Sequence, residues 1–275
     1  MNSNGLKFNV EKTQLMTMNP GHNRSNDDMC IKFNNHLITQ ERNAKFLGLT
    51  ISNNLRWNDY VFNSEDSMLN FCYKKLRALK LMARNCDKHQ RLILANGMII
   101  SKLTYCCTAW GNASLYLKEK VQKLLNETYR VVAQDWKSDV WKLHRDLNVL
   151  SIDGWIRYMT IMEGKRILDF QKPVDMKNKI SDQIVDDMRT APVGPTQVED
   201  RNILTRALMR GNIRYTAANS TNYHPRFTSF IPRFVRDFKR LDAVTKSWNL
   251  QEGDYKMRES FRYNTRLHCI IHQQY

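Results

Sequence analysis

The sequence has 275 residues, with 43 Lys and Arg against 27 Asp and Glu, a formal net charge of +16 and 42% hydrophobic residues. That apolar fraction excludes a disordered chain. The longest apolar stretch, residues 92–100, is interrupted by Asn96 and Gly97 and falls short of the roughly 18 apolar residues a membrane-spanning helix needs.

A charge of this size points to a polyanionic partner, nucleic acid before acidic membrane. Six cysteines without a CxxC pair fit a reducing, intracellular compartment, with neither a disulfide framework nor a zinc knuckle. Met1 to Gly5 carries neither the basic nor the apolar region of a signal peptide.

In chain order, residues 1–60 read as short strands and turns. Residues 14–18 are β-prone. Residues 31–33 and 36–38 flank Asn34-Asn35 as the arms of a hairpin with a two-residue turn. Residues 45–51 follow as a further strand, in which Gly48 permits a close backbone approach, and Asn53-Asn54 ends it. From Asn63 the apolar period becomes helical. Asn63 is the expected cap of a helix running to about Asn85, with Glu65 and Asp66 in its first turn. Asp87 and Gln90 form a capping-box pattern for a second helix to about Tyr105. Ser114 caps a third, with Leu117, Val121, Leu124, Thr128 and Val131 on one face. Three helices with short connections predict a small bundle.

A fourth helix is expected from Ser151, with the stripe Ile152, Trp155, Ile156, Met159, Met162 and Ile167, and Pro173 stops it. Residues 172–196 are polar, carry three prolines and read as a linker. A helix is expected over 197–209 and a loop over 212–225. A last helix begins at Pro232, with Phe234, Phe238 and Leu241 on one face. The predicted fold is therefore mostly α with a small N-terminal β part. It divides into strands and a hairpin over 1–60, a three-helix bundle over 61–135 and a helical C-terminal region over 136–275.

Four segments carry a family signature. Gly5-Leu6-Lys7-Phe8-Asn9-Val10-Glu11-Lys12-Thr13 resembles the G-L-x-x-N-x-x-K-T segment of LINE-type (non-long-terminal-repeat) reverse transcriptases. Lys45-Phe46-Leu47-Gly48-Leu49, followed by Leu55-Arg56-Trp57, resembles their K-[FY]-L-G-[VIL] strand and its L-x-W sequel. Leu103-Thr104-Tyr105 with Trp110 resembles the L-x-Y…W that ends the second thumb helix. Ser229-Phe230-Ile231-Pro232-Arg233, then Arg236, Phe238 and Leu241, resembles the S-F-x-P-R…R-x-W-N-x-L box, with Phe238-Lys239 in place of Trp-Asn. Order and spacing agree from Gly5 to about Leu241, and Jockey-like elements are the branch most similar.

The resemblance implies the end of a palm over 1–60, a thumb-like three-helix bundle over 61–135 and the family's C-terminal region. The family motif positions are Gly5, Asn9, Lys12, Thr13, Phe46, Leu47 and Gly48. In the family the Lys matching Lys12 lies near the incoming nucleotide's phosphates, and the strand matching Phe46-Leu47-Gly48 supports the primer end. Polymerisation there uses two Mg²⁺ ions on paired carboxylates, which precede the segment matched at Gly5. The resemblance thus assigns no catalytic residue, metal ligand or cofactor to this chain, and Mg²⁺ is expected only for a full-length polymerase. This chain alone, without those carboxylates, is expected to be inactive as an RNA-directed DNA polymerase, and to take no small-molecule substrate.

Two acidic pairs, Asp27-Asp28 and Asp186-Asp187, copy the letters of a catalytic turn but follow the matched segment, the wrong order, and read as a turn and a solvated helix face. His268, Cys269 and His272 share a helical face without a second cluster to complete a zinc site. Trp57, Trp110 and Trp155 read as core anchors.

Binding residues come from the first thumb-like helix. Tyr73, Arg77, Lys80 and Arg84 fall on one stripe, flanked by Lys74 and Lys75, beside an apolar stripe of Met68, Cys72, Leu76, Leu79 and Ala83. One face serves a core and one serves phosphates. The expected partner is RNA or RNA–DNA duplex, held through its backbone without sequence readout. The alternative is a co-opted basic nucleic-acid-binding protein with no enzymatic role.

Overall fold

The computed structural model describes residues 9–18, 29–33, 35–170, 172–189, 230–241, 246, 262, 264–266 and 269. The protein is mostly helical with a small N-terminal β part. It divides into two compact units, one of Met1–Leu103 with Ala113–Lys137, the other of Thr104–Asn112 with Ser138–Tyr275.

The β part of the first unit is two separate hairpins. Strands β1 (Cys30–Phe33) and β2 (His36–Thr39) pair antiparallel, with Phe33 opposite His36 and Asn35 at a φ of 63°, in the place Asn34-Asn35 predicts. The segment expected as one strand over 45–51 is instead a second hairpin, β3 (Asn43–Phe46) with β4 (Leu49–Ser52). Phe46 faces Leu49 across Leu47 and Gly48, whose φ values of 46° and 78° are both left-handed, the mark of a type I′ turn. Gly48 is there for its positive φ, not for close approach within a strand. Leu47 hides the turn from a sequence reading, because a residue with a Cβ rarely enters that region.

Residues 14–18 form no strand beyond a single parallel bridge between Leu15 and Gln40, which the Gln14 side chain extends with bonds to the Glu41 carboxylate (2.8 Å) and from the Lys45 N–H (3.0 Å).

Helix α1 (Met68–Met82) starts four residues later than a cap at Asn63 predicts. Ser67 is its cap, accepting from the Asn70 N–H, while Asn63 ends a π-helical turn, Asp59–Asn63, and donates to Asp59. Glu65 and Asp66 thus precede the helix, and Asp66 forms an exposed pair with Lys45 of β3. Helix α2 (Lys88–Ala95) carries the predicted capping box, with Asp87 accepting from the Gln90 N–H (2.8 Å) and Gln90 accepting from the Asp87 N–H (3.0 Å). It continues through a π-helical turn, Asn96–Ile100, into α3 (Ser101–Thr104).

Helix α5 (Leu115–Ala133) buries its whole predicted stripe, Leu117, Val121, Leu124, Thr128 and Val131. Helices α1, α2 and α5 pack pairwise. Arg91 of α2 donates to the Val132 carbonyl of α5 (2.8 Å), so this cation is structural.

In the second unit, α4 (Cys107–Trp110) packs on α7 (Ile152–Phe170), and α8 (Val174–Arg189) and α9 (Phe230–Lys239) pack on α7 and on each other. Helix α6 (Val140–Leu147) buries Leu143, His144 and Leu147. Helix α7 begins and ends as predicted. Residues 174–189, expected as linker, are helical. Pro173 sits just outside the helix, and its carbonyl accepts from the Lys177 N–H. Ile180 packs with Ile167, Phe234 and Val235, and Met176, four residues before it, packs against that cluster. Helices α7 and α9 thus cover the apolar side chains of its first half. Helix α9 starts two residues before Pro232. The expected helix over 197–209 and loop over 212–225 lie outside the described residues.

Gly164 fits Phe234 against α7. A Cβ at Gly164 would stand closer than 3.0 Å to the ring carbons Cγ, Cδ2 and Cε2 of a fully buried side chain. Alanine ordinarily stabilises a helix over glycine by about 1 kcal/mol. Here Gly164→Ala is expected to destabilise by about 1–3 kcal/mol in thermal melts, because the overpacking outweighs that gain. Gly97→Ala, with no atom within 4 Å, is the control and should be neutral or stabilising. Equal melting of the two variants would rule out the packing assignment.

Candidate nucleic-acid interface

Helix α1 separates its two stripes cleanly. Met68, Cys72, Leu76, Leu79 and Ala83 are buried, and Tyr73, Lys74, Lys75, Arg77, Lys80 and Arg84 are exposed. Arg84 falls one step past the helix, in a 3-10 turn, Ala83–Asn85, that prolongs the same face. The cations are not equivalent. Lys80 Nζ lies 2.5 Å from Glu127 Oε1 of α5 and 5.8 Å from the centre of the Trp136 ring. The Lys80 charge is therefore answered within the unit. Arg77 and Arg84 have no ion-pair partner among the described residues.

A second feature adjoins Tyr73 and comes from residues the sequence reading does not single out. Phe62 of the Asp59–Asn63 turn, Tyr73 of α1, and Tyr116, Glu119, Lys120 and Lys123 of α5 line a cleft of about 280 Å³, with Leu69 also on its wall. Lys120 Nζ stands 3.5 Å from the centre of the Phe62 ring and 4.8 Å from that of Tyr116. Further along the surface Lys75 lies over Phe71 (5.4 Å), and Lys102 lies near Phe71 (5.8 Å) and Tyr60 (6.0 Å). Such pairs hold cations against aromatic faces at modest energies, about 0.5–1 kcal/mol where exposed. The i, i+4 spacing of Tyr116 and Lys120 is the one sequence signal for this cluster. Phe62 reaches it only through the fold.

Asn9, Lys12 and Thr13 form one local device. Asn9 Oδ1 accepts from the Lys12 N–H (3.2 Å), capping a 3-10 turn, Val10–Lys12, and Thr13 Oγ1 donates to the Asn9 carbonyl (2.8 Å). The Lys12 side chain is exposed. Phe46 and Leu47 are exposed at the tip of the β3–β4 hairpin, 62% and 73% respectively. Gly5 lies outside the described residues. The structure does not bring these positions together with the α1 stripe as one cluster.

Two other motif segments meet inside the second unit. The Arg233 guanidinium donates to the Thr108 carbonyl and would meet any side chain placed at Gly111, and Trp110 is fully buried, with its Nε1 donating to the Tyr105 carbonyl (3.1 Å). These residues build a core rather than a surface.

The acidic pair Asp27-Asp28 lies outside the described residues, and Asp186-Asp187 falls on α8. Cys269 packs with Leu150, Ile161 and Leu241, and burial pushes its thiol up to about 12, as it does for Cys72 and Cys107. His268 and His272 lie outside the described residues. Among the described residues no group of three or more His, Cys, Asp or Glu side chains is placed to hold a metal ion. No helix among them is long and apolar enough to cross a membrane. No protein-family model, curated protein or solved structure matches the chain.

Proposed function

We propose that the chain is the thumb-bearing part of a LINE-type reverse transcriptase, and that its own capacity is to hold RNA–DNA duplex by the phosphates, without the carboxylates that polymerise. Four motifs in family order support the family reading. The observation that carries the binding role is the split face of α1, with buried Cys72, Leu76 and Leu79 directly beside exposed Lys74, Arg77 and Arg84. A helix with one face committed to a core fixes the backbone that carries the other, which supports a role for its exposed guanidinium groups along a phosphate backbone. Backbone contacts of this kind position a duplex and leave its sequence unread.

The test is a salt titration of a labelled RNA–DNA duplex by fluorescence anisotropy. With three or four phosphates contacted, log K should fall against log salt with a slope of about -3. Changing Arg77, Lys80 and Arg84 together to Gln should weaken binding and flatten that slope by about 2 units, with Lys80→Gln alone contributing least because Glu127 already answers that charge. Gln is itself a good helix former, so folding should be unaffected. Changing Lys142, Lys172 and Lys179 of the second unit, all exposed, removes the same charge elsewhere and should do less. Equal weakening by both triples would reduce the attraction to net charge and defeat the assignment to α1. Absence of duplex binding at 50 mM salt would defeat the function.

A further inference from the structure

We propose that the cleft between Phe62, Tyr73 and Tyr116 receives an unpaired nucleobase of a single strand, with the adjoining phosphates taken by Lys120 and Lys123; this rests on reading the first unit as a nucleic-acid binder. The cleft lies beside the α1 stripe and has a different chemistry. The stripe offers guanidinium and ammonium groups along a ridge. The cleft offers ring faces in a hollow. Phe62, Tyr73 and Tyr116 are 42%, 40% and 60% exposed, so three large rings meet water around one depression. Aromatic faces flanked by cations are what single-strand binders use: bases stack on the rings in sequence-tolerant fashion, and the backbone follows the charges.

The size fits one flat ring system. At about 280 Å³ the cleft falls just below the roughly 300–1,000 Å³ of sites that enclose drug-sized ligands. The charges select the partner. An apolar segment of protein would bury Lys120, and an acidic peptide would face Glu119 with no π-face to set against the rings. A nucleotide supplies both parts. Lys120 is the moving piece. Its ammonium rests on the Phe62 ring at 3.5 Å and next to Tyr116 at 4.8 Å. A base stacking on Phe62 displaces that ammonium outward, where a phosphate replaces the ring as its partner. The exchange trades a weak surface cation–π pair for a stacked base and a charge-assisted contact.

The experiment uses the full chain and two labelled strands, a ten-residue oligothymidylate and the same backbone with abasic sugars. Both carry the same charge, so the ratio of their affinities isolates the bases. Wild type should bind the thymidylate at least about five-fold more tightly. Phe62→Ala with Tyr116→Ala should bring that ratio to about one while RNA–DNA duplex affinity stays within about twofold. Phe62→Tyr with Tyr116→Phe keeps the rings and should keep the ratio. Lys120→Gln should weaken both strands and flatten the salt slope by about 0.7. Equal wild-type affinity for the two strands overturns the proposal, as does a preference that survives the double alanine change. Binding of phosphatidylserine vesicles that is lost with the same double change would assign the cleft to a membrane surface and overturn it as well. If duplex is bound but bases are not distinguished, only this inference fails. If neither strand nor duplex is bound, the proposed function fails with it.

Discussion

Lys165→Ala should destabilise the second unit by about 3–5 kcal/mol in urea titration. Lys165 and Asp169 are one turn apart on α7, with Nζ and Oδ1 2.9 Å apart and side chains only 7% and 8% exposed. The ammonium also donates to the Lys246 carbonyl at 3.3 Å. At the surface an i, i+4 pair of this kind contributes a few tenths of a kcal/mol. Burial changes the arithmetic. Both charges have given up water, and the geometry returns roughly what desolvation removed, so the intact pair is near neutral. Removing the Lys takes away the ammonium 2.9 Å from the Asp169 carboxylate while that carboxylate stays in a low-dielectric site, and that is the large effect. The double change Lys165→Met with Asp169→Leu should recover most of the loss, because no charge is left behind. A double-mutant cycle measures the difference. A loss below about 1 kcal/mol for the single change would mean that water reaches the pair, and would sink the claim that α7 is sealed there.

Stability should also fall as the pH drops from about 6.5 towards 4, through His144. This side chain on α6 is fully buried, and burial pushes its pKa down from 6.5 to about 4. The folded protein holds the imidazole neutral, whereas the unfolded chain binds a proton near pH 6.5. Between those values the unfolded state carries more protons, so each unit of acidification favours it by up to 1.4 kcal/mol. The contribution is complete above pH 6.5. It is lost progressively to about pH 4, by about 3 kcal/mol in all. Carboxylates titrate in the lower part of this window, so the comparison is with His144→Gln. Wild type minus variant should show the slope between pH 6.5 and 5, where carboxylates contribute least. Parallel curves, or a His144 ring that titrates near 6.5 by NMR, would show the side chain to be solvated.

What was legible in the sequence is what local chemistry dictates. Asp87 and Gln90 cap α2 reciprocally because the box needs nothing beyond its own four residues. Asn35 supplies a left-handed turn residue between two β-prone arms. The stripe from Leu117 to Val131 has a period that only a helix buries, and α5 buries it. The α1 face followed from the same rule, with Tyr73, Arg77 and Lys80 opposite the positions that must go inward.

Tertiary structure decided the rest. Leu47 and Gly48 turn the chain where a strand was expected, since β4 gains Leu49 and Ser52 as buried positions against the Asp59–Asn63 turn. Residues 174–189 are helical where their polarity and flanking prolines read as a linker, with Met176 and Ile180 packed against α7 and α9. Helix α1 starts at Met68 because Ser67 takes the extended cap conformation and accepts from the Asn70 N–H, while Asn63 belongs to the preceding π-helical turn. The cleft around Lys120 joins Phe62 to rings 11 and 54 positions along the chain, at Tyr73 and Tyr116. Composition and spacing determine which residues can cap, turn or face inward, because those are properties of a few adjacent residues. Which of them meet is settled by burial shared between distant segments, and no local pattern encodes that.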